Sequence, residues 1–373
     1  MSSERKILVY GASGYTGKLI SESLGKRNLP FYAAGRSADR IEKEMKIVEE
    51  RLGRKPDFVT LQLENTVESL SKAFAEVDVV INVVGPFMQL GGPVVEACLA
   101  TNTHYLDTTG EQDWTRHLKD TFGQAFADKG LLLSPANSYM WAAGAIAAEY
   151  MLETDGIDSL DILYQVDNAL PSEASTKSFL RMVCHDISQC YLEQNELKAW
   201  PNNKAYQVTP ANRVRTMLAH PWSGGAEPIW FMDDERVRNC SVLVSIGDDM
   251  INAVLDAINA YNKASVGLSQ EECEALTNTM GDEMDTGEPD KDDLDVQRSV
   301  IIVRGQGRQI NKEFVYNVAA AYQFTGEVSA DAAQRLLNGG LKRPGFASTP
   351  QAFGHRELMK TFHELGFTSP IPE

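Results

Sequence analysis

The sequence lacks several features that mark particular classes of protein. No uninterrupted apolar run approaches the roughly 20 residues needed to cross a membrane. The N-terminus, Met1 to Lys6, is charged and offers no apolar targeting region. The five cysteines are odd in number and scattered, without the paired spacing of a metal site. We therefore expect a cytoplasmic protein with reduced thiols, no membrane span and no metal centre.

Basic residues are also scarce. The chain has 35 lysines and arginines against 52 aspartates and glutamates, which gives a formal net charge of -17. Residues 141–300 hold 28 acidic and 11 basic side chains, so nearly all of the imbalance lies there. Such a surface repels phosphate backbones, which argues against nucleic acid as a partner and disfavours a strongly anionic substrate.

The most acidic stretch, residues 281–295, holds eight acidic side chains and one lysine. This composition is typical of a solvated, partly disordered loop. No glutamate closes the stretch at the offset that a calcium loop requires, so we reject a metal site there.

The pattern that is present predicts an α/β protein with two domains. The first 140 residues alternate β-type runs with helical stretches, as in a parallel sheet with crossover helices. Six strands are predicted, the number that a full dinucleotide-binding sheet needs. They lie at Lys6–Tyr10, Phe31–Ala34, Phe58–Leu63, Val77–Val84, His104–Thr108 and Leu131–Ser134.

After about Asn137 the rhythm changes. Helices are predicted over Trp141–Glu153 and Ser175–Gln194, and residues 200–234 are irregular enough to suggest a functional loop or lid. We expect a Rossmann-type nucleotide-binding domain over residues 1–140 and an α+β domain over residues 141–328, followed by the helices of residues 329–373.

A glycine-rich loop follows the first predicted strand and opens a helix. Glycines at offsets 0, 3 and 6 allow a tight turn and bring backbone amides close to a pyrophosphate, next to the positive end of the helix dipole. Because the loop begins a six-strand alternation, we interpret it as a dinucleotide site and not as a merely structural turn. The predicted cofactor ligands in the loop are Gly11, Ser13, Gly14, Tyr15, Thr16 and Gly17.

The end of the second strand predicts which cofactor is bound. NAD-selective proteins place an acidic residue there to hold the ribose hydroxyls. This chain has Arg36 and Ser37 at that position, with Arg40 one helical turn later. Guanidinium and hydroxyl groups suit a 2′-phosphate, so we predict NADP(H). The alternative is that both arginines are ordinary solvated charges at a helix start.

Two further strand ends are expected to face the cofactor, because ligands of such sheets lie beyond the carboxyl ends of the strands. The fourth strand leads into Val84, Gly85 and Pro86, where a backbone turn could pack against ribose. The fifth leads through Asp107 and Thr109 to Glu111, with polar side chains expected near the nicotinamide. Asp107 could equally cap the following helix.

Together these motifs resemble the saccharopine dehydrogenase-like reductase family, which includes the trans-acting enoyl reductases of lipid biosynthesis. The resemblance covers roughly half of the chain, at both ends, and implies an NADP-linked oxidoreductase. It also implies that the α+β domain of residues 141–328 is an inserted domain for substrate binding and dimerisation. The helices of residues 329–373 are then expected to return to the Rossmann NADP-binding domain of residues 1–140. The matching segments are Gly11–Gly17, Ala34–Ser37, Val84–Phe87, Gly92–Cys98, His104–Glu111, Thr349–Gly354 and Leu365–Phe367.

The resemblance weakens after the sixth strand. The family usually has a Gly-Phe-Asp-Ser-x-Pro-type turn there, whereas this chain has Pro135-Ala136-Asn137-Ser138-Tyr139-Met140-Trp141. The Tyr-x-x-x-Lys spacing of short-chain dehydrogenases does not occur in the sequence. Candidate proton donors are Tyr139, His185 and Glu111, each of which could instead be a structural hydrogen-bonding residue.

Three functions remain open on the sequence. Four of the five tryptophans lie beyond residue 140, and together with the acidic balance they favour an apolar or ring-containing substrate over a polycarboxylate. We therefore expect an NADPH-dependent reductase of an activated carbon–carbon double bond. The alternatives are a saccharopine-type amine or imine dehydrogenase and a non-catalytic nucleotide-binding scaffold. A homodimer is expected by analogy with related two-domain oxidoreductases.

Overall fold

The computed structural model describes residues 5–168, 170–185, 189–211, 213–284, 288–291 and 293–371. Strands within these residues are numbered in chain order. They are β1 Ile7–Tyr10, β2 Phe31–Gly35, β3 Phe58–Gln62, β4 Val79–Asn82, β5 His104–Asp107, β6 Leu132–Ser134, β7 Ser159–Asp167, β8 Cys190–Glu193, β9 Glu196–Ala199, β10 Tyr206–Val208, β11 Met217–Ala219, β12 Asn239–Ser245, β13 Arg298–Gln306, β14 Asn311–Val318 and β15 Gly345–Phe346.

Helices are numbered in the same way. They are α1 Tyr15–Lys26, α2 Ala38–Leu52, α3 Val67–Phe74, α4 Phe87–Leu90, α5 Gly92–Thr101, α6 Gln112–Asp128, α7 Gly144–Met151, α8 Glu173–Val183, α9 Glu227–Phe231, α10 Asp248–Ala264, α11 Gln270–Glu283, α12 Ala321–Leu337, α13 Thr349–Phe353 and α14 His355–Glu364. A π-type turn covers Tyr139–Ala143, and a short 3-10 turn covers Trp222–Gly224.

The chain forms two compact units, each assembled from several segments. The first comprises Met1–Thr109, Trp114–Ala142 and Tyr322–Gly354. The second comprises Gly110–Asp113, Ala143–Ala321 and His355–Glu373. The domain boundaries expected from the sequence did not include the assignment of residues 110–113 to the second unit.

The first unit is a Rossmann-type sheet of parallel strands in the order β15-β6-β5-β4-β1-β2-β3. In the register at its centre, Val9 lies opposite Ala33 on one side and Ile81 on the other. Every residue of β1 and β4 is buried, as expected for strands covered by helices on both faces. The seventh strand, β15, was not predicted, because two residues are too short to show a periodic pattern.

Helix α2 shows how local sequence delimits the elements of this unit. Its apolar face buries Ile41, Met45 and Val48, one helical turn apart. The Ser37 side chain caps its first turn, and Gly53 ends the helix at a φ of 67°, in the left-handed region that glycine adopts without strain.

The C-terminal segment does return to the first unit, but only as far as Gly354. We expected all of residues 329–373 to pack there, whereas α14 and the residues after it belong to the second unit. The reason lies in their contacts, because α14 packs against α7 and His355 Nε2 lies 2.6 Å from Glu153 Oε1. The backbone N–H of Ala319 also donates to the carbonyl of Phe367 at 2.8 Å.

The second unit is built on a mixed sheet in the order β14-β13-β7-β12-β8-β9, in which only the β7–β12 pair is parallel. Helix α7 packs against β13 and β14. Residues Leu163, Val300 and Ile302 of the sheet form a separate cluster with Ala219 of the β10–β11 ribbon. The irregular stretch 200–234, predicted to be a loop or lid, therefore contains this ribbon and the short helix α9 within its described residues.

One helix of this unit is shorter than the sequence predicts. The helix predicted over Ser175–Gln194 ends at Val183, and β8 and β9 form a hairpin whose turn residues Gln194 and Asn195 both have positive φ. That turn geometry fits the twist of two antiparallel strands and stops a helix.

In the acidic run, residues 285–287 and 292 lie outside the described residues, and Gly281–Glu283 belong to α11.

Candidate functional site

The glycine loop of the first unit has the shape that a pyrophosphate site requires. Gly11 has a φ of 96°, and a Cβ atom there would lie 2.9 Å from side-chain carbons of Val83 and Val84. A Cβ atom on Gly17 would lie 2.3 Å from the Gly11 carbonyl oxygen, so only glycine lets α1 pack this closely on the loop. Gly14 is the N-cap of α1 and leaves the helix start without a side-chain cap.

Three other loop residues were predicted to bind the cofactor, and the structure gives them different settings. Ser13 and Thr16 are half-buried beside the helix start. The Tyr15 ring is 7 % exposed and packs edge-on against Tyr322, with ring centroids 5.0 Å apart. Tyr15 therefore also ties α1 to the returning helix α12, in addition to any role toward a ligand.

Arg36 borders an open groove of about 630 Å³ at the carboxyl ends of β2 and β3. Burial raises the pKa of the neighbouring Tyr10 hydroxyl, and the positive charge of Arg36 partly opposes that rise. Among the other residues that line the groove, Glu64 carries a carboxylate and the rest are uncharged. They are Gln62, Leu63, Glu64, Asn65 and Ser69. Arg36 is thus the cation of a groove that could hold a phosphorylated ribose.

Ser37 and Arg40 lie at the start of α2, next to Arg36. The Ser37 Oγ accepts a hydrogen bond from the backbone N–H of Arg40 at 3.3 Å. The hydroxyl proton of Ser37 can still be donated to a phosphate oxygen. Both side chains are exposed, as a ligand-binding role requires.

The end of β5 is occupied by a fully buried carboxylate, Asp107. Its Oδ1 accepts from the backbone N–H groups of Thr109 at 3.0 Å and Ala136 at 2.9 Å. Its Oδ2 accepts from Tyr105 Oη at 2.9 Å and Trp114 Nε1 at 2.8 Å. Burial raises the pKa of Asp107 to about 6, and the four donors oppose that rise. Asp107 therefore fixes the loops after β5 and β6 and does not cap α6.

The same network reaches the turn after β4. The amide of Asn82 donates to Tyr105 Oη at 3.2 Å, and Asn82 Oδ1 accepts from the backbone N–H of Val84 at 3.0 Å. The following peptide bond, between Gly85 and Pro86, is cis. The backbones of Val84 and Thr109 are thus held by one buried hydrogen-bond network of the first unit, and Gly85 and Pro86 follow Val84 in the chain.

Glu111, a candidate proton donor, belongs to the second unit and is held in an ion pair. It is fully buried, and its Oε2 lies 2.9 Å from Arg181 Nη2. Its Oε1 accepts from Ser178 Oγ at 3.0 Å, and Asp113 lies 2.7 Å from the same guanidinium nitrogen. Both carboxylate oxygens of Glu111 are therefore engaged by side chains of α8.

His185 lies elsewhere in the second unit, just after α8. Its Nε2 is 3.2 Å from Glu274 Oε1, and its Nδ1 is 3.3 Å from Gln270 Nε2. The side chain is 25 % exposed. The histidine is thus part of the contact between α8 and α11, in a different cluster from Glu111.

Tyr139 lies in the first unit, at the start of the π-type turn after β6. Its backbone N–H donates to Thr325 Oγ1 at 2.9 Å, and its ring packs edge-on against Phe324 at 6.4 Å. Of the three candidate donors, Glu111 and His185 thus lie in different clusters of the second unit, and Tyr139 belongs to the first unit.

The tryptophans beyond residue 140 are divided between the two units. Trp141 belongs to the first unit and is buried, and Trp230 is buried in the second. Trp200 packs against two tyrosines. Trp222 is half-buried and stacks on Phe179 with centroids 4.5 Å apart. Packing accounts for most of these rings.

Sequence reasoning missed two buried ionisable groups of the second unit, Arg181 and Glu227. Arg181 pairs with acids about 70 positions earlier in the chain, and no local pattern shows such a pairing. Glu227 is fully buried, and its Oε1 accepts from Tyr164 Oη at 2.7 Å. The signal available for Glu227 was the Gly224-Gly225 pair before it, which allows the chain to approach closely.

The described residues also bear on a metal site and on a membrane span. No group of three or more His, Cys, Asp and Glu side chains is arranged to hold a metal ion among them. None of the helices they form is both long and apolar enough to span a membrane.

Comparison with known proteins assigns both parts of the chain. Residues 142–371 match the model of a family of unknown function, DUF5938. The chain belongs to the DUF5938 family. Residues 7–127 match the saccharopine dehydrogenase NADP binding domain. This second match covers the glycine loop, Arg36 and the ends of β4 and β5, so the first unit of this DUF5938 protein is an NADP-binding domain.

Named relatives each match part of the chain. A saccharopine dehydrogenase-like oxidoreductase of Rattus norvegicus is 25 % identical over 192 residues, which are 47 % of this chain and 40 % of the rat protein. A Mycobacterium tuberculosis protein that carries the name trans-acting enoyl reductase is 35 % identical over 131 residues, 34 % of this chain and 30 % of that protein. The matches therefore span less than half of these relatives.

The fold is also that of a solved structure. Apo saccharopine dehydrogenase (L-Glu forming) from Saccharomyces cerevisiae aligns over 98 % of both chains with a TM-score of 0.60 and 11 % sequence identity. The predicted resemblance, the α/β fold class and the NADP(H) cofactor are thus confirmed. The names of both relatives are those of oxidoreductases. The cytoplasmic location, the homodimer and the individual site residues stay predictions.

Proposed function

We propose that the protein is an NADPH-dependent reductase of an activated carbon–carbon double bond in a hydrophobic or ring-containing small molecule. The observation that carries the cofactor part is Arg36, which borders the groove beyond β2 where an NAD-selective protein would have an acid. The similarity to the mycobacterial enoyl reductase supports the double bond as the reacting group. When bound, NADPH supplies a hydride, and the protein must position the substrate and provide a proton.

The cofactor part predicts the effect of Arg36→Ala. Removal of the guanidinium takes away a charge-assisted contact worth about 2 kcal/mol, so the Kd for NADPH should rise about 30-fold while that for NADH stays unchanged. Equilibrium titrations of both nucleotides, followed by tryptophan fluorescence, measure this. Arg116→Ala, which removes an exposed arginine of the same unit, is the matched control. Equal NADPH affinity in Arg36→Ala and wild type would remove Arg36 from the site.

The reaction is tested with a substrate panel. NADPH oxidation with cyclic enones and with long-chain enoyl thioesters, but not with imines, supports the proposed reductase. Turnover with imines alone favours an amine or imine dehydrogenase, the alternative to which the name of the rat relative points. NADPH binding without turnover across the panel would make the protein a nucleotide-binding scaffold.

We propose Tyr139 as the proton donor, because Glu111 is held by Arg181 and His185 lies beside Glu274. Tyr139→Phe should lower kcat about 100-fold, the usual contribution of a general acid, and leave the Kd for NADPH unchanged. It should also remove the alkaline limb of the pH–rate profile. Tyr150→Phe, in helix α7 of the second unit, is the matched control. A kcat within twofold of wild type would exclude Tyr139 as the donor.

A further inference from the structure

The core of the second unit contains two cysteines on neighbouring helices. Cys184 ends α8, and Cys273 lies on the first turn of α11. Both belong to one apolar cluster, with Phe179, Ile258 and Tyr261 among its members. They are 8 % and 9 % exposed, more than the other three cysteines of the chain, which are 0 to 5 % exposed.

Contacts of the Cys184 sulfur place it beside Cys273. Its Sγ lies 3.8 Å from Gln270 Nε2 and 3.9 Å from Thr277 Oγ1. These two residues are seven positions apart on α11, so they lie on the same face of the helix, two turns apart. The sulfur contacts a polar atom of each and therefore lies against the stretch of α11 between them, which carries Cys273. Cys273 is also among the groups that raise the pKa of the Cys184 thiol.

Several ionisable side chains also lie close to the pair. His185 and Glu274, which follow the two cysteines in the sequence, lie 3.2 Å apart. Burial raises the pKa of the Cys184 thiol, and Glu274 adds to the rise whereas Thr277 and the Arg181 charge oppose it. The hydroxyl of Tyr261 is hydrogen-bonded with Cys273.

We propose that Cys184 and Cys273 are a redox modification site, which hydrogen peroxide converts to a disulfide between α8 and α11. One thiolate attacks the peroxide, which gives a sulfenic acid and hydroxide. The second thiol then displaces the hydroxyl of the sulfenic acid as water and forms the S–S bond. In total, two thiols and one peroxide yield one disulfide and two waters, and a dithiol reductant reverses the change.

The cross-link would act on the helix that holds Glu111. Ser178 and Arg181, one turn apart on α8, both bind the Glu111 carboxylate. Trp222 stacks on Phe179 of the same helix. Oxidation should therefore restrict α8 and change the fluorescence of Trp222, which gives a readout that does not depend on the reaction catalysed.

The experiment uses the full chain, reduced, desalted and exposed to hydrogen peroxide. Free thiols are then counted in denaturant, and the number should fall from the five of the sequence to three. Peptide mapping should show the 184–273 pair linked, with loss of two hydrogens, and dithiothreitol should restore both thiols. The rate should rise with pH, roughly tenfold per unit below the thiol pKa, because the thiolate is the reacting form.

Cys184→Ser and Cys273→Ser are the matched variants, and far-ultraviolet circular dichroism checks that each folds. Each should keep four thiols, form no intramolecular link and lose the fluorescence change on oxidation. Cys98→Ser, which removes a fully buried cysteine of the first unit, should behave as wild type. Linkage of other cysteines, or oxidation of Cys184 and Cys273 without a bond between them, would overturn the proposal.

Discussion

Glu227 of the second unit is an acidic side chain whose burial disfavours its ionised form. It is fully buried, and burial raises its pKa to about 8, although the hydrogen bond from Tyr164 opposes the rise. Tyr164 Oη in turn accepts from the backbone N–H of Gly144 at 2.8 Å. A Cβ atom on Gly144 would lie 2.4 Å from Glu227 Oε1, and one on Gly225 would lie 2.8 Å from Oε2. Two glycines thus make room for one protonated acid.

This environment gives the protein a defined pH dependence of stability. The folded state keeps a proton that the unfolded state releases above pH 4.5, so stability is greatest below that pH and is lost as the pH rises to about 8. The difference is up to roughly 5 kcal/mol. Glu227→Gln keeps the acceptor for Tyr164 and cannot ionise, so its stability should stay constant where that of wild type falls.

Urea unfolding from pH 6 to 8 measures the contribution of Glu227 to the free energy of unfolding. The range starts at pH 6 because Asp107, another carboxyl group whose pKa is raised, titrates at about that pH. Glu235→Gln, at an exposed acid, is the control and should follow wild type. Parallel stability curves for Glu227→Gln and wild type would show that Glu227 is already ionised in the folded protein.

At the scale of elements, the sequence predicted what repeats locally and missed what depends on distant contacts. The strands and helices of the first unit follow one another with clear periodicity, and Gly11 and Arg36 stand at fixed offsets from strand ends, so both were identifiable. β15 was missed because its two residues pair with β6 more than 200 positions earlier. The pairing of Glu111 with Arg181 was also missed, because Arg181 lies on a helix 70 positions later.

The contact between α1 and α12 is the element-scale feature of the first unit that bears most on function. A Cβ atom on Gly326 would lie 2.8 Å from the carbonyl oxygen of Leu19, so the two helices touch through backbone. Glu327 binds Ser23 at 2.8 Å and pairs with Arg27, which fixes the same crossing. Because α1 begins at the glycine loop, its position determines the geometry of the phosphate site.

Gly326→Ala should therefore push α12 away from α1. We expect a loss of about 1–3 kcal/mol in stability, in spite of the better helix propensity of alanine, and weaker NADPH binding. Gly92→Ala is the matched control, since that helical glycine has no atom within 4 Å of its Cβ position. Chemical unfolding and NADPH titration measure the two effects, and a variant as stable as Gly92→Ala would show that the helices can separate without cost.

At the scale of the whole molecule, charge is the dominant property. The chain carries a net charge of -17, and the middle of the sequence supplies 28 acids against 11 bases. Some of these acids are paired, as at Lys177, which lies 2.7 Å from Glu173 and 2.8 Å from Asp282. The acidic side chains in excess of the basic ones repel one another, and this repulsion opposes the compact state.

Added salt should therefore stabilise the protein. The Debye length falls from about 20 Å at 20 mM to about 6 Å at 300 mM, which screens repulsion between surface acids. We expect the melting midpoint to rise by about 1–2 °C, which corresponds to roughly 1 kcal/mol. Scanning fluorimetry in sodium and in potassium chloride measures this, and equal shifts in both salts exclude a specific ion. A midpoint that falls with salt would instead mean that pairs such as Lys177–Asp282 outweigh the repulsion.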